Sequence, residues 1–89
     1  MSELTLKQVQ DLMRRYYYSR DSARGIHATF NWFVEEVGEL AEAILEGDKD
    51  KVMEEAADVL AWLASIANLT GIDLEESFRR KYLNPEPPT

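Results

Sequence analysis

Two amphipathic helical segments hinged on a glycine occupy the middle of this 89-residue chain and leave little freedom in its fold. Trp32 to Trp62 reads WFVEEVGELAEAILEGDKDKVMEEAADVLAW. Phe33, Val37, Leu40 and Ile44 recur by four and three, and Val52, Ala56, Val59, Leu63 and Ile66 form a second stripe. That period belongs to helices packing in a bundle. Gly47-Asp48 separates them: Gly suits the residue after a helix, and Asp48 suits the N-cap of the next. The spacing predicts one helix from between Ile26 and Thr29 to about Glu46, and another to about Thr70, ended by Gly71.

The rest of the chain also reads at helical spacing, with no hairpin signal and no sustained alternation. A first helix is expected from about Thr5, where Thr5-x-x-Gln8 fits a capping box. Its apolar stripe is Leu6, Val9, Leu12, Met13 and Tyr16. The polar run Ser19–Gly25 interrupts the pattern and reads as a loop. Asp73-x-x-Glu76 opens a short fourth helix through about Tyr82. Residues 84–89 are proline-rich and read as an extended tail. The expectation is one all-α domain over 1–89, a small bundle of three longer helices and a short C-terminal one. A core from so few residues is modest, so completion by a partner subunit is expected.

Composition narrows the functions. The formal net charge of −7 argues against nucleic acid as a standing partner, since phosphate backbones select basic surfaces. It leaves room for a nucleotide held through a metal ion. No cysteine is present, which removes disulfides, thiolate zinc sites and a thiol nucleophile. The apolar runs are too short to span a membrane. MSELTLKQ lacks the regions of a signal peptide, so a cytoplasmic protein is expected.

The acidic residues of the central segment are not equivalent. Glu36 and Glu39, and Glu55 and Asp58, are pairs three apart, each on one helix face beside the apolar stripe. In an antiparallel hairpin, residues equally far from the turn share a height. Glu36 and Asp58 each lie eleven residues from Gly47, and Glu39 and Glu55 each lie eight. The four carboxylates can therefore share a patch within about 5 Å along the axis. Trp32 and Trp62, each fifteen residues from Gly47, would mark one end of it. Such a patch repels itself unless protonated or paired. The second helix has no Lys or Arg, and Lys49 and Lys51 sit near the turn. A hard divalent cation, Mg²⁺ or Mn²⁺, is the natural counterion for oxygen ligands. Solvated faces of two surface helices are the competing explanation, and spacing alone does not choose. Glu42, Glu46 and Glu54 are assigned to solvent. A di-iron bundle would need Glu-x-x-His pairs, and His27, the sole histidine, stands outside both acidic pairs.

Glu35-Glu36-Val-Gly-Glu39, then Glu55-Ala-Ala-Asp58, resembles the EExxE…ExxD signature of the MazG-like, all-α nucleoside triphosphate pyrophosphohydrolases. The phrases FVEEVGELAEAI and EEAADVLAWL resemble that family too. The resemblance covers the middle half of the chain well and its ends loosely. It implies a Mg²⁺-dependent hydrolase, with Mn²⁺ as a substitute. Such an enzyme cleaves a nucleoside triphosphate to the monophosphate and pyrophosphate. Carried over by position, Glu36, Glu39, Glu55 and Asp58 would be metal ligands. Glu36 and Glu39 would thereby be catalytic, and Glu35 would orient or deprotonate the attacking water. The family also implies a homodimer or a tetramer. Lys81, near the end of the last helix, is a candidate phosphate contact, or alternatively answers that helix's dipole. Trp32 and Trp62 are candidates for stacking a base, or alternatively core or interface residues. His27 and Asn31 are candidate base or sugar contacts, while Tyr16, Tyr17 and Tyr18 read as packing and interface residues. The related dUTP/dCTP and phosphoribosyl-ATP pyrophosphohydrolases share the signature, so it does not rank substrates. The different-class alternative is a helical oligomerisation module without turnover.

Overall fold

The computed structural model describes residues 3–83, so the tail expected over 84–89 lies outside the described residues. Four helices follow one another: α1 (Leu6–Arg24), α2 (Ile26–Glu46), α3 (Lys49–Thr70) and α4 (Leu74–Tyr82). No strand occurs among the described residues, and the all-α expectation holds. No single described helix is long and apolar enough to cross a membrane.

Local chemistry sets most boundaries. The Thr5 hydroxyl accepts from the Gln8 N–H, and the Gln8 side chain accepts from the Thr5 N–H. This reciprocal pairing satisfies two donors that helix entry would otherwise orphan. Asp48 caps α3 by accepting from the Lys51 N–H, and Asp73 caps α4 by accepting from the Glu76 N–H. Gly47 closes α2 at φ 73°, a left-handed conformation that carries no Cβ penalty in glycine.

The loop expected over Ser19–Gly25 is not there. α1 continues through Arg24, and Gly25 alone, at φ 90° and ψ 163°, joins it to α2. The polar residues of that run are poor apolar-stripe members but not helix breakers. Asp21 and Arg24, three apart, pair across one turn at 2.9 Å. Only the glycine adopts a backbone conformation that other residues avoid.

α3 is the central element, packed against both α2 and α1, while α4 rests on α1. Buried amides lock α1 to α3. The Gln10 amide donates to Asn68 Oδ1 at 3.0 Å and to the Ile72 carbonyl at 2.7 Å, and Asn68 donates back to the Gln10 carbonyl at 3.1 Å. Gln10 also accepts from the Leu74 N–H, which fixes the start of α4. Asn68→Ala leaves buried partners unsatisfied, and urea denaturation should register a loss of about 1–3 kcal/mol.

Few apolar residues are fully covered. Ala43, Ala64 and Ala67 are the buried hydrophobics among the described residues. The expected α2 stripe is only half enclosed: Phe33 and Leu40 are partly covered, but Val37 and Ile44 are exposed. On α3, Ala56 and Leu63 are exposed, as is Tyr16 on α1. The rows that do meet are offset by one position. On α2 the covered row is Thr29, Phe33, Glu36, Leu40 and Ala43, and on α3 it is Val52, Glu55, Val59, Trp62 and Ile66. Period alone marks two neighbouring rows on each helix. The α2–α3 crossing selects the one that contains the glutamates.

Candidate active site

Glu36 and Glu55 thus lie in the α2–α3 seam itself, not beside it. One turn further along α2 stands Glu39. Carboxylate oxygens of Glu36, Glu39 and Glu55 lie within 4.8 Å of one another. Glu36 Oε2 and Glu55 Oε2 are buried and have no hydrogen-bond partner. Cations at either end are engaged elsewhere: Lys51 pairs with Glu46 at 3.2 Å, and Arg24 with Asp21. Burial, then the charge of Glu39, pushes Glu36 up to about 7, with Glu55 and Asp58 adding to the effect. Burial and the charge of Glu39 raise Glu55 as well. The cluster is short of positive charge, and hard oxygen donors of this kind fit a hard divalent cation.

A pH dependence follows. The unfolded chain releases the Glu36 proton near the ordinary 4.5, whereas the folded chain holds it to about 7. Between those values the folded state binds more protons, so the stability of metal-free protein falls as pH rises. The contribution is fully present below the unfolded value and lost once pH passes the folded one. Thermal melts in EDTA from about pH 5 to about pH 8 should show this decline. Glu36→Gln should flatten it.

The other expected residues divide. Asp58 is exposed and outside the trio, although its charge is felt at Glu36. The four-carboxylate patch is therefore three tightly grouped acids with Asp58 at the rim. Glu35 is exposed on α2 and outside the group. Trp32 and Trp62 do meet, stacked at 6.1 Å with 15° between their planes, as the hairpin register requires. His27 and Asn31 are exposed near the start of α2 and line neither of the two cavities flanking the seam. Lys81 also lies off both cavities, on α4, its ammonium 5.5 Å from the Tyr82 ring centre. Among the acids assigned to solvent, Glu42, Glu46 and Glu54 are exposed, and they line a cavity with Glu39, Glu55 and Lys51.

Sequence reasoning missed the second cavity, about 260 Å³, between α1 and α3. Arg20, Asp21 and Arg24 reach it from α1, and Asp58, Trp62 and Ser65 from α3. The available signal was the Asp21/Arg24 pairing distance of three, which marks a helix face inside a run read as loop. A Cβ at Gly38 would meet nothing within 4 Å, so no close approach within the chain requires glycine there.

Residues 24–83 match the family model described as the MazG nucleotide pyrophosphohydrolase domain. The chain belongs to the MazG family. The MazG match begins at Arg24, so α2, α3 and α4 fall within it and nearly all of α1 lies outside. A phosphoribosyl-ATP pyrophosphatase from Pyrobaculum islandicum is 32% identical over 74 residues, 83% of this chain and 79% of the relative. Membership in the MazG family makes this protein a nucleotide pyrophosphohydrolase, and so a hydrolase.

Proposed function

We propose that this MazG protein hydrolyses a nucleoside triphosphate between the α and β phosphates, releasing a nucleoside monophosphate and pyrophosphate, with Mg²⁺ as cofactor and Mn²⁺ as a substitute. The convergence of Glu36, Glu39 and Glu55 within 4.8 Å, with buried unpaired oxygens on two of them, carries this reading. These three would hold the cation, and Asp58 at the rim would be the fourth ligand. When bound, the cation supplies charge neutralisation at the phosphates and polarises the phosphoryl oxygen. Glu35, next to Glu36 and solvent-facing, is assigned to orienting or deprotonating the attacking water. Such a base contributes through geometry first and pKa second. Lys81, on α4, is assigned to a phosphate contact.

The working form is proposed to be a homo-oligomer. Phe30, Val34, Val37 and Ile44 recur at the spacing of a partner-facing row on α2 and are all exposed. Leu60 and Leu63 are exposed on α3. A second copy of this chain would cover such rows and supply the core that one copy lacks.

The similarity to a phosphoribosyl-ATP pyrophosphatase supports that compound as a second candidate substrate. The test is a panel of canonical and modified nucleoside triphosphates, with phosphoribosyl-ATP, incubated with Mg²⁺ and followed by pyrophosphate release. Monophosphate and pyrophosphate in equal amounts from at least one compound are expected. Release of orthophosphate instead would overturn the α–β cut, and no release from any compound would overturn the reading and favour an oligomerisation module.

A further inference from the structure

We propose that Lys51 meets the departing pyrophosphate, exchanging Glu46 for a phosphate oxygen when the substrate binds. This rests on the reading above for the reaction and for the place of the cation. The cavity on the α2–α3 side of the seam, about 340 Å³, is lined by Glu39 and Glu55, two of the three clustered acids, with Glu42, Glu46, Glu54 and Lys51. A cation held by the cluster therefore opens on this space. Lys51 is the single cation among the residues that line it.

Position on α3 gives the direction. Lys51 precedes Glu55 by four residues, so it stands one helical turn away on the same face, toward Gly47. Asp58 follows Glu55 on the other side. A triphosphate whose α–β bridge lies at the cluster, with its β and γ phosphates toward Gly47, brings its leaving group to Lys51. Turned the other way, the leaving group meets Asp58 and Arg24. That guanidinium is committed already: it donates to buried Asp21 at 2.9 Å and lies 5.0 Å from the Trp62 ring centre. Lys51 is not committed in this way. Its ammonium lies 3.2 Å from Glu46 Oε2, and both side chains are more than half exposed. Such an exposed pair contributes little, and a flexible lysine stem turns readily to a new partner.

The chemistry calls for a charge there. As water attacks the α phosphorus, its oxygen bonds to that atom while the bond to the α–β bridging oxygen breaks. The electron pair of the broken bond leaves on pyrophosphate, so negative charge grows on the bridging oxygen and the β phosphate. An ammonium donating to those oxygens stabilises the transition state more than the bound substrate. Lys51 keeps its proton for this. The hydrogen bond to Glu46, then the charges of Glu46, Asp48 and Glu42, hold its pKa above the ordinary lysine value. Glu42, Glu46 and Glu54 leave the cavity negative, so it favours an anion only while the cation and Lys51 both face it. Return of Lys51 to Glu46 after cleavage then favours release of the product.

Calorimetric titration with pyrophosphate in the presence of Mg²⁺ tests this without turnover. Lys51→Gln should weaken pyrophosphate about 10-fold or more, the fold-change a hydrogen bond to a charged group supplies, with Mn²⁺ binding unchanged. The Lys51 backbone N–H, not its side chain, serves the Asp48 cap, so α3 keeps its start in this variant. Lys51→Arg keeps the charge and should restore most of the affinity, and Arg20→Gln, in the opposite cavity, should leave it near wild type. Glu46→Gln frees the ammonium and should tighten pyrophosphate in the wild-type background, but much less in the Lys51→Gln background. Wild-type affinity in Lys51→Gln, no rescue by Lys51→Arg, or a greater loss in Arg20→Gln would each overturn the contact. Equal tightening by Glu46→Gln in both backgrounds would overturn the exchange of partners. Pyrophosphate release from nucleotides judges the reaction separately. Lys51-dependent binding without release retains the contact and removes the reaction, and release with Lys51-independent binding does the reverse.

Discussion

Glu36→Gln, Glu39→Gln and Glu55→Gln should each reduce pyrophosphate release by more than about 100-fold, while Glu54→Gln leaves it near wild type. Loss of a group that merely supports a metal ligand costs about 10–100-fold, so loss of a ligand should exceed that. The amide keeps the shape and one oxygen but removes the charge, so the effect isolates electrostatics from packing. Glu36 and Glu55 lie in the α2–α3 seam with a buried, unpaired oxygen each. Replacing either relieves repulsion in the metal-free protein, so the variants should fold and melt no lower than wild type in EDTA. Activity and stability then move in opposite directions, which a structural role would not produce. The double variant Glu36→Gln/Glu55→Gln should be little worse than either single one, because residues acting as a unit are non-additive. Wild-type turnover in any of the three single variants would remove that residue from the site.

Val37→Glu should convert an oligomer to monomers in sedimentation experiments. Val37 is 41% exposed and Ile44 61%, yet both belong to a regular apolar row on α2. Burying such side chains is worth about 1.5–3 kcal/mol each, and a charge set among them must be desolvated without a partner. The same substitution barely touches the α2–α3 seam, so helix content should persist. Sedimentation of wild type as a monomer would contradict the assignment of this row to a second copy.

The sequence reading succeeded where structure is governed within a turn or two. Thr5, Asp48 and Asp73 cap helices because their side chains reach backbone N–H groups three residues on. Gly47 ends α2 through its own backbone freedom. The heights of Trp32 and Trp62 followed from counting outward from that glycine, and the indoles stack. What the sequence could not convey was rotation of each helix about its axis. A row containing Glu36 and Glu55 looks wet on paper, while Val37, Ile44 and Leu63 look like core. The crossing of α2 on α3 chose the first row, which a pattern of residue types cannot weigh against repulsion between acids. Arg20, Asp21 and Arg24 were hidden for a related reason. Their meeting with Asp58 and Trp62 depends on how the Gln10–Asn68 amides set α1 against α3, across 58 positions of sequence. The charge of Asp58 is felt at Glu36, but its place outside the tight trio is not something that counting from the turn conveys.

Titration of the protein with Mn²⁺, followed by the electron paramagnetic resonance signal of the free ion, tests the metal centre most directly. Wild type should remove Mn²⁺ from solution, and Glu36→Gln, Glu39→Gln and Glu55→Gln should each bind it more than about 10-fold more weakly, with Glu54→Gln unchanged. Equal Mn²⁺ binding by wild type and all three variants would contradict the carboxylate cluster as the site that holds the cation.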